Sequence, residues 1–197
     1  FINVNEITNG LLPISLILEQ NGYVKYTYKN DFPYLDSKHK SPPRCYLCGK
    51  HVSDPIHSKT HKNYHQFKTA KYIALSSHNS DIFSKTNILF NKPSNINGEE
   101  LKIIIGTRVL SEGVDFKGIR QLHIMEPWYN ISRLEQVIGR AIRTHSHINL
   151  EAEKRNVEIF MYVNTPPDNN ADTELIDVNI YRIAEKKDIQ IKNVEHI

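Results

Sequence analysis

The chain has 197 residues, with 25 Lys and Arg against 22 Asp and Glu and a formal net charge of +3. With 39% hydrophobic and 24% charged residues it can build a packed core, which excludes a wholly disordered chain and a collagen. Its apolar runs, such as Ile103–Ile105, fall far below the ~18 residues of a membrane helix. No secretory signal is visible, and Phe1 in place of Met reads as the start of a fragment or a single domain.

In chain order, Leu11, Leu12, Ile14, Ile17 and Leu18 recur at helical spacing and Gly22 follows as a C-terminal signal, which predicts a helix from Leu11 to Asn21. Tyr23–Tyr28 has the aromatic and β-branched content of a strand. Residues 31–69 are polar, basic and interrupted by Pro33, Pro42, Pro43 and Pro55, and read as an insertion between core elements. A strand over Tyr72–Ser77, a helix over Asp81–Asn91 and a turn at Asn97-Gly98 follow. Leu101–Thr107 is continuous in Ile, like a strand buried in a parallel sheet. Gln121–Met125 predicts a strand, Ser132–Arg143 an amphipathic helix, Val157–Val163 a strand and Asp172–Lys187 a charged helix. Strands alternating with helices predict an α/β fold, a parallel sheet between helices.

The insertion carries one constellation of its own. Cys45 and Cys48 are followed by His61 after twelve residues and by His65 after three more. This C-x2-C-x12-H-x3-H spacing is that of a four-ligand structural zinc site, thiolates from a knuckle and imidazoles one helical turn apart. Asp54-Pro55 predicts the start of the helix. On it His57 shares the face of His61 and His65 and is the substitute ligand. Two cysteines so placed favour metal in a reducing compartment over a disulfide. Between residues 38 and 71 eight basic residues face Asp54 alone. A rigid basic knob follows, with a polyanion or a partner's acidic surface as its predicted target.

Two further stretches carry chemistry. In Gly106-Thr-Arg-Val-Leu-Ser-Glu-Gly-Val-Asp115 a buried strand ends in a polar loop, and open α/β sheets bind ligands outside the carboxyl ends of their strands. Thr107, Ser111 and the Gly113 amide are phosphate donors there, and Asp115 serves a ribose or positions a neighbour. In Gln136-Val-Ile-Gly-Arg-Ala-Ile-Arg143 the spacing puts Arg140 and Arg143 on one helix face, able to grip a phosphoryl group. Gly139 in a helix interior costs about 1 kcal/mol relative to Ala. Trp128 and Tyr129 follow a strand end and are assigned to packing on the sheet edge, with base stacking as the alternative.

GTR…EGVD followed by QxxGRxxR resembles motifs V and VI of superfamily 2 helicases. With His123–Asn130 and Tyr181–Lys187 it resembles the helicase-type ATPases of large cytoplasmic DNA viruses, a group that includes poxvirus nucleoside triphosphate phosphohydrolase and early transcription factor ATPase relatives. The resemblance implies a second RecA-like domain over 1–30 and 70–197. It implies Arg140 and Arg143 on the β/γ phosphates of ATP, and Gln136, Gly113 and Asp115 at the nucleotide site. It places Thr107, Arg108 and Ser111 on nucleic acid.

No GxxxxGK[ST] loop and no Asp-Glu-x-Asp/His box is present. ATP and Mg2+ are therefore expected mainly on an N-terminal RecA-like domain in cis, and this chain alone is expected to be inactive. The implied setting is viral transcription or genome processing, on DNA or RNA, with transcription proteins as partners and no membrane, in the virion or host cytoplasm. The alternative is a non-enzymatic zinc-bearing nucleic-acid-binding module on the same scaffold.

Overall fold

The computed structural model describes residues 1–28, 32–77, 82–107, 115–164 and 175–195. The strands are β1 (Ile2–Asn3), β2 (Val24–Lys25), β3 (Lys71–Leu75), β4 (Ile103–Gly106), β5 (Gln121–Ile124) and β6 (Glu158–Met161). The helices are α1 (Leu12–Gln20), α2 (Phe83–Phe90), α3 (Ile131–Ala141) and α4 (Ile176–Glu195). The strands form one sheet in the order β2-β3-β4-β1-β5-β6, and each neighbouring pair is parallel. The predicted α/β class is the one observed.

The side-chain period of two divides the strands between two cores. Ile73, Leu75, Ile104, Leu122 and Ile124 pack with Leu89 of α2 and with Leu134, Val137 and Ala141 of α3. Tyr72, Ala74 and Ile105 face the other way and pack with Val4 and with Leu11 before α1. A sheet covered on both faces explains why Ile103–Ile105 carries no polar alternation.

Several expected boundaries move. The strand expected over Tyr23–Tyr28 shortens to β2, although the Tyr26 amide still donates to the Tyr72 carbonyl at 2.7 Å. β1 has only two residues, yet it lies between β4 and β5. A π-helical turn at Ile7–Leu11 leads from it into α1. Gly10 begins to explain that turn: a Cβ there would stand 2.9 Å from both Val4 Cβ and Glu126 Oε1. α3 ends at Ala141, because Ile142 leaves the helical conformation (φ −106°, ψ 20°). Arg143 is therefore past the helix end, and the single helix face expected for Arg140 and Arg143 does not form. Of the helix expected over Asp172–Lys187, residues 172–174 lie outside the described set, and α4 runs on to Glu195. Among the described residues, no helix is long and apolar enough to cross a membrane.

The chain between β2 and β3 is fastened by polar contacts. Glu19, fully buried on α1, accepts from the amides of Tyr34 (3.0 Å) and Leu35 (2.8 Å), from the Tyr72 hydroxyl (2.8 Å), and pairs with Lys40 at 3.2 Å. Burial pushes its carboxyl up, but these donors outweigh it and hold it below the usual range. Lys25 Nζ donates to the Phe32 carbonyl at 3.0 Å and lies 3.9 Å over the Tyr34 ring. Gly22 (φ +83°) ends α1 where a Cβ would come within 2.3 Å of the Pro42 carbonyl oxygen. Arg44 donates from its amide to the Gly22 carbonyl (2.8 Å) and from its side chain to the Asn21 and Gly49 carbonyls.

Candidate nucleotide-facing motifs and a Cys/His centre

Thr107 follows β4 at its carboxyl end. It is 5% exposed, and its amide donates to the Leu75 carbonyl at 3.2 Å. Arg108, Ser111 and Gly113 lie outside the described residues. Asp115, where the description resumes, stands at the other end of the sheet. α2 returns the chain from β3 to the start of β4, so Asn91, just after α2, stands at the strands' amino ends. Asn91 Nδ2 donates to the Asp115 carbonyl at 2.7 Å, and Asn91 Oδ1 accepts from the Lys117 amide at 2.8 Å. Thr107 and Asp115 are thus set at opposite ends of β4.

Asp115 meets the second motif there. Arg143 Nη1 lies 2.9 Å from Asp115 Oδ1, with the two side chains 41% and 47% exposed. Arg140 is partly buried in the last turn of α3, while Gln136 and Gly139 are exposed. A Cβ on Gly139 would meet nothing of this chain within 4 Å. Asn130 caps α3 by accepting from the Ser132 amide at 3.0 Å. The arginine motif occupies the carboxyl half of α3 and the turn after it, where the Ser146 amide donates to the Arg143 carbonyl at 3.0 Å. Asn91 is a residue that sequence reasoning did not single out. An Asn just past a helix reads as an ordinary C-terminal cap, and its grip on Asp115 is a contact between distant segments.

The turn from α2 to β4 is itself clamped. Asn95, 4% exposed, donates to the carbonyls of Phe90 and Leu101 and accepts from the amides of Glu100 and Leu101, at 2.8–3.1 Å. Near the other strand ends, Arg133 lies 3.8 Å over the Trp128 ring, Glu126 Oε2 accepts from the Asn5 amide at 2.8 Å, and Tyr129 is 51% exposed. Trp128 stacks on Arg133, a partner not foreseen.

The Cys/His centre assembles beside the start of β3. The Cys45 amide donates to the Lys50 carbonyl (2.8 Å) and the Gly49 amide to the Cys45 carbonyl (3.0 Å), closing a knuckle whose Gly49 takes φ +73°. Cys45 bridges to Thr69, and the Ala70 amide donates to the Arg44 carbonyl at 2.7 Å, so the knuckle is hydrogen-bonded to the chain that enters β3. The Tyr46 carbonyl accepts from Lys102 Nζ at 2.8 Å, and Lys68 pairs with Glu99, which ties the knuckle to the turn held by Asn95.

The ligand atoms of Cys45, Cys48, His57 and His65 all lie within 4.8 Å of one another. Cys45 Sγ is 3.3 Å from His65 Nε2 and Cys48 Sγ is 3.4 Å from His57 Nε2. A zinc tetrahedron with S and N at ~2.3 and ~2.0–2.1 Å has an S···N edge of about 3.5 Å, so the four residues fit that ion. Burial pushes the Cys45 thiol up, but backbone hydrogen bonds from Cys48, Leu47 and Lys68 and the His65 ring outweigh it and bring it down to about 6. Phe67 packs edge-on to His57 at 5.1 Å. His57 Nδ1 is buried without a hydrogen-bond partner among the described residues, so the ring's polar contact is on the sulfur side.

His61 is outside this group, and its place is taken by the substitute His57. The expected helix from Asp54-Pro55 lasts one 3-10 turn, Pro55–His57, capped by Asp54 accepting from the Ile56 amide at 3.0 Å. Turns follow it, so the helical spacing that grouped His61 with His65 does not apply. His61 is exposed, and its Nδ1 accepts from the Asn63 amide at 3.1 Å.

The model of the helicase conserved C-terminal domain matches residues 53–145. The early transcription factor large subunit homolog of African swine fever virus is 34% identical over 161 residues, 81% of this chain and 13% of that protein. A putative helicase of an invertebrate iridescent virus is 32% identical over 189 residues, 94% of this chain and 16% of that protein. A putative ATP-dependent RNA helicase of Acanthamoeba polyphaga mimivirus is 30% identical over 208 residues, 100% of this chain and 17% of that protein. The chain spans less than a fifth of the length of each of these three relatives. Over residues 53–145 the chain is therefore similar to the helicase conserved C-terminal domain, and over most of its length it is similar to viral proteins described as putative helicases and as an early transcription factor large subunit homolog.

Proposed function

We propose that residues 1–30 and 70–197 are the second motor domain of a nucleic-acid-dependent ATPase of viral transcription or genome processing, acting in the virion or the host cytoplasm. In this reading ATP and Mg2+ sit mainly on an N-terminal RecA-like domain. Arg143 and Arg140 reach across the cleft to the β/γ phosphates and stabilise charge as it develops. Gln136 and Gly113 help to shape the nucleotide site, and Thr107, Arg108 and Ser111 face nucleic acid. The observation that carries this reading is the exposed Arg143–Asp115 pair. It joins the two motifs at one place and leaves a guanidinium able to exchange a carboxylate for a phosphate.

The experiment is Arg143→Ala in the full-length protein with nucleic acid present. ATP turnover is expected to fall about 10³-fold with the fold unchanged by circular dichroism, and unchanged turnover would favour the non-enzymatic binding module. The chain by itself is expected to show no turnover above that of its Arg143→Ala variant. Residues 31–69 form the insertion in this reading. Cys45, Cys48, His57 and His65 hold one structural zinc ion, which with four protein ligands keeps no position open for chemistry.

A further inference from the structure

We propose that residues 58–64, the loop between His57 and His65, form a binding site for single-stranded nucleic acid separate from the motif residues. Lys59, Lys62 and His61 would contact phosphates, and the Tyr64 ring would stack on a base. The inference rests on the zinc reading, because the two imidazoles fix the ends of the loop. Their rings are 5.0 Å apart, and each faces a different cysteine sulfur.

All seven residues of the loop are exposed. The loop is nevertheless ordered by its own hydrogen bonds: the His61 amide to the Ser58 carbonyl (2.9 Å), the Tyr64 amide to the His61 carbonyl (3.0 Å) and Ser58 Oγ with Thr60 Oγ1 (2.8 Å). Of the other basic side chains between residues 38 and 68, Lys40 pairs with Glu19, Lys50 with Asp54 and Lys68 with Glu99, and Arg44 lies on carbonyls, while Lys38, outside the loop, has no ion-pair partner among the described residues. Lys59 and Lys62 have no ion-pair partner among the described residues, and no acidic residue occurs between Asp54 and Asp81.

The Asn63 amide donates to His61 Nδ1, which leaves the proton of the neutral ring on Nε2, a donor available to an anion. Tyr64 is 41% exposed. Basic donors beside one exposed ring are the pattern of backbone-tracking, base-stacking sites for single strands. An acidic protein partner is disfavoured, because Ser58–Tyr64 holds no aliphatic side chain to anchor a protein interface.

The test uses the full chain, its zinc content measured by atomic absorption, and fluorescein-labelled oligo-dT and oligo-rU at low salt. Lys59→Glu with Lys62→Glu should weaken binding at least about tenfold and flatten its salt dependence by about 1.4 in log–log slope, with zinc retained. Tyr64→Ala should weaken it about tenfold while Tyr64→Phe stays near wild type. Three results would overturn the site: wild-type affinity in the double lysine variant, equal weakening by Lys85→Glu or Lys186→Glu, or polyglutamate competing as well as the oligonucleotide. Zinc near zero in the wild-type chain would instead remove the metal anchor, a failure read independently of affinity.

Discussion

The sheet and the segment between β2 and β3 are held by different forces. In the sheet, Tyr72, Ile73, Leu75, Ile104, Ile105, Leu122 and Ile124 are at most 1% exposed, and burial at roughly 25 cal/mol per Å2 supplies the stability. Between residues 32 and 69 Cys45 alone is buried. That segment depends on Glu19, Arg44 and the Cys/His group. A segment held by polar contacts and a Cys/His group answers to pH and charge, and the sheet answers mainly to changes of volume.

The largest expected effect breaks the segment and spares the sheet. Cys45→Ser should lower zinc from one per chain to near zero and abolish hydrogen-exchange protection over residues 44–70. Structural zinc contributes on the order of 10 kcal/mol in small domains. Protection of the β4 and β5 amides should survive, and their loss together with the segment would show one cooperative unit.

A smaller effect is expected at the join. Glu19→Gln replaces a buried, four-contact carboxylate and should cost about 3 kcal/mol, measured by urea unfolding. Because the Glu19 carboxyl is held low in the folded state, its stabilisation is fully present above the unfolded value of about 4.3. It is lost as pH falls through the lower folded value. The wild type should therefore lose stability below about pH 4, and the Gln variant should show a shallower acid limb.

The smallest effect on stability is expected at the motif pair. Asp115→Asn removes an exposed ion pair and should change unfolding free energy by less than about 0.5 kcal/mol. In the full-length protein, any change in ATP turnover from this substitution therefore reports on the Arg143–Asp115 site rather than on folding.

The same contrast explains what was legible in the sequence. The buried strands were readable because two-sided burial writes an unbroken Ile run at β4. β1 was not, since two residues carry no period and its place in mid-sheet is set by pairing with β4 and β5. The Cys pair and His65 could be read from spacing, which reports knuckle geometry directly. His57 over His61 could not, because the choice depends on how far a helix continues beyond Pro55, and turns hold no long-range pattern. The contact of Arg143 with Asp115 brings together residues 28 positions apart, which resemblance predicts as a shared site and periodicity does not.

Asn95 gives the two regions a common foundation. The turn it clamps carries Glu99 and Lys102, which hold the knuckle, and begins at Asn91, which holds Asp115. The 91–102 stretch is therefore a poor place for insertions or deletions, unlike most surface turns. A lesion there would be pleiotropic, disturbing the Cys/His group and the arginine site together from a residue that belongs to neither.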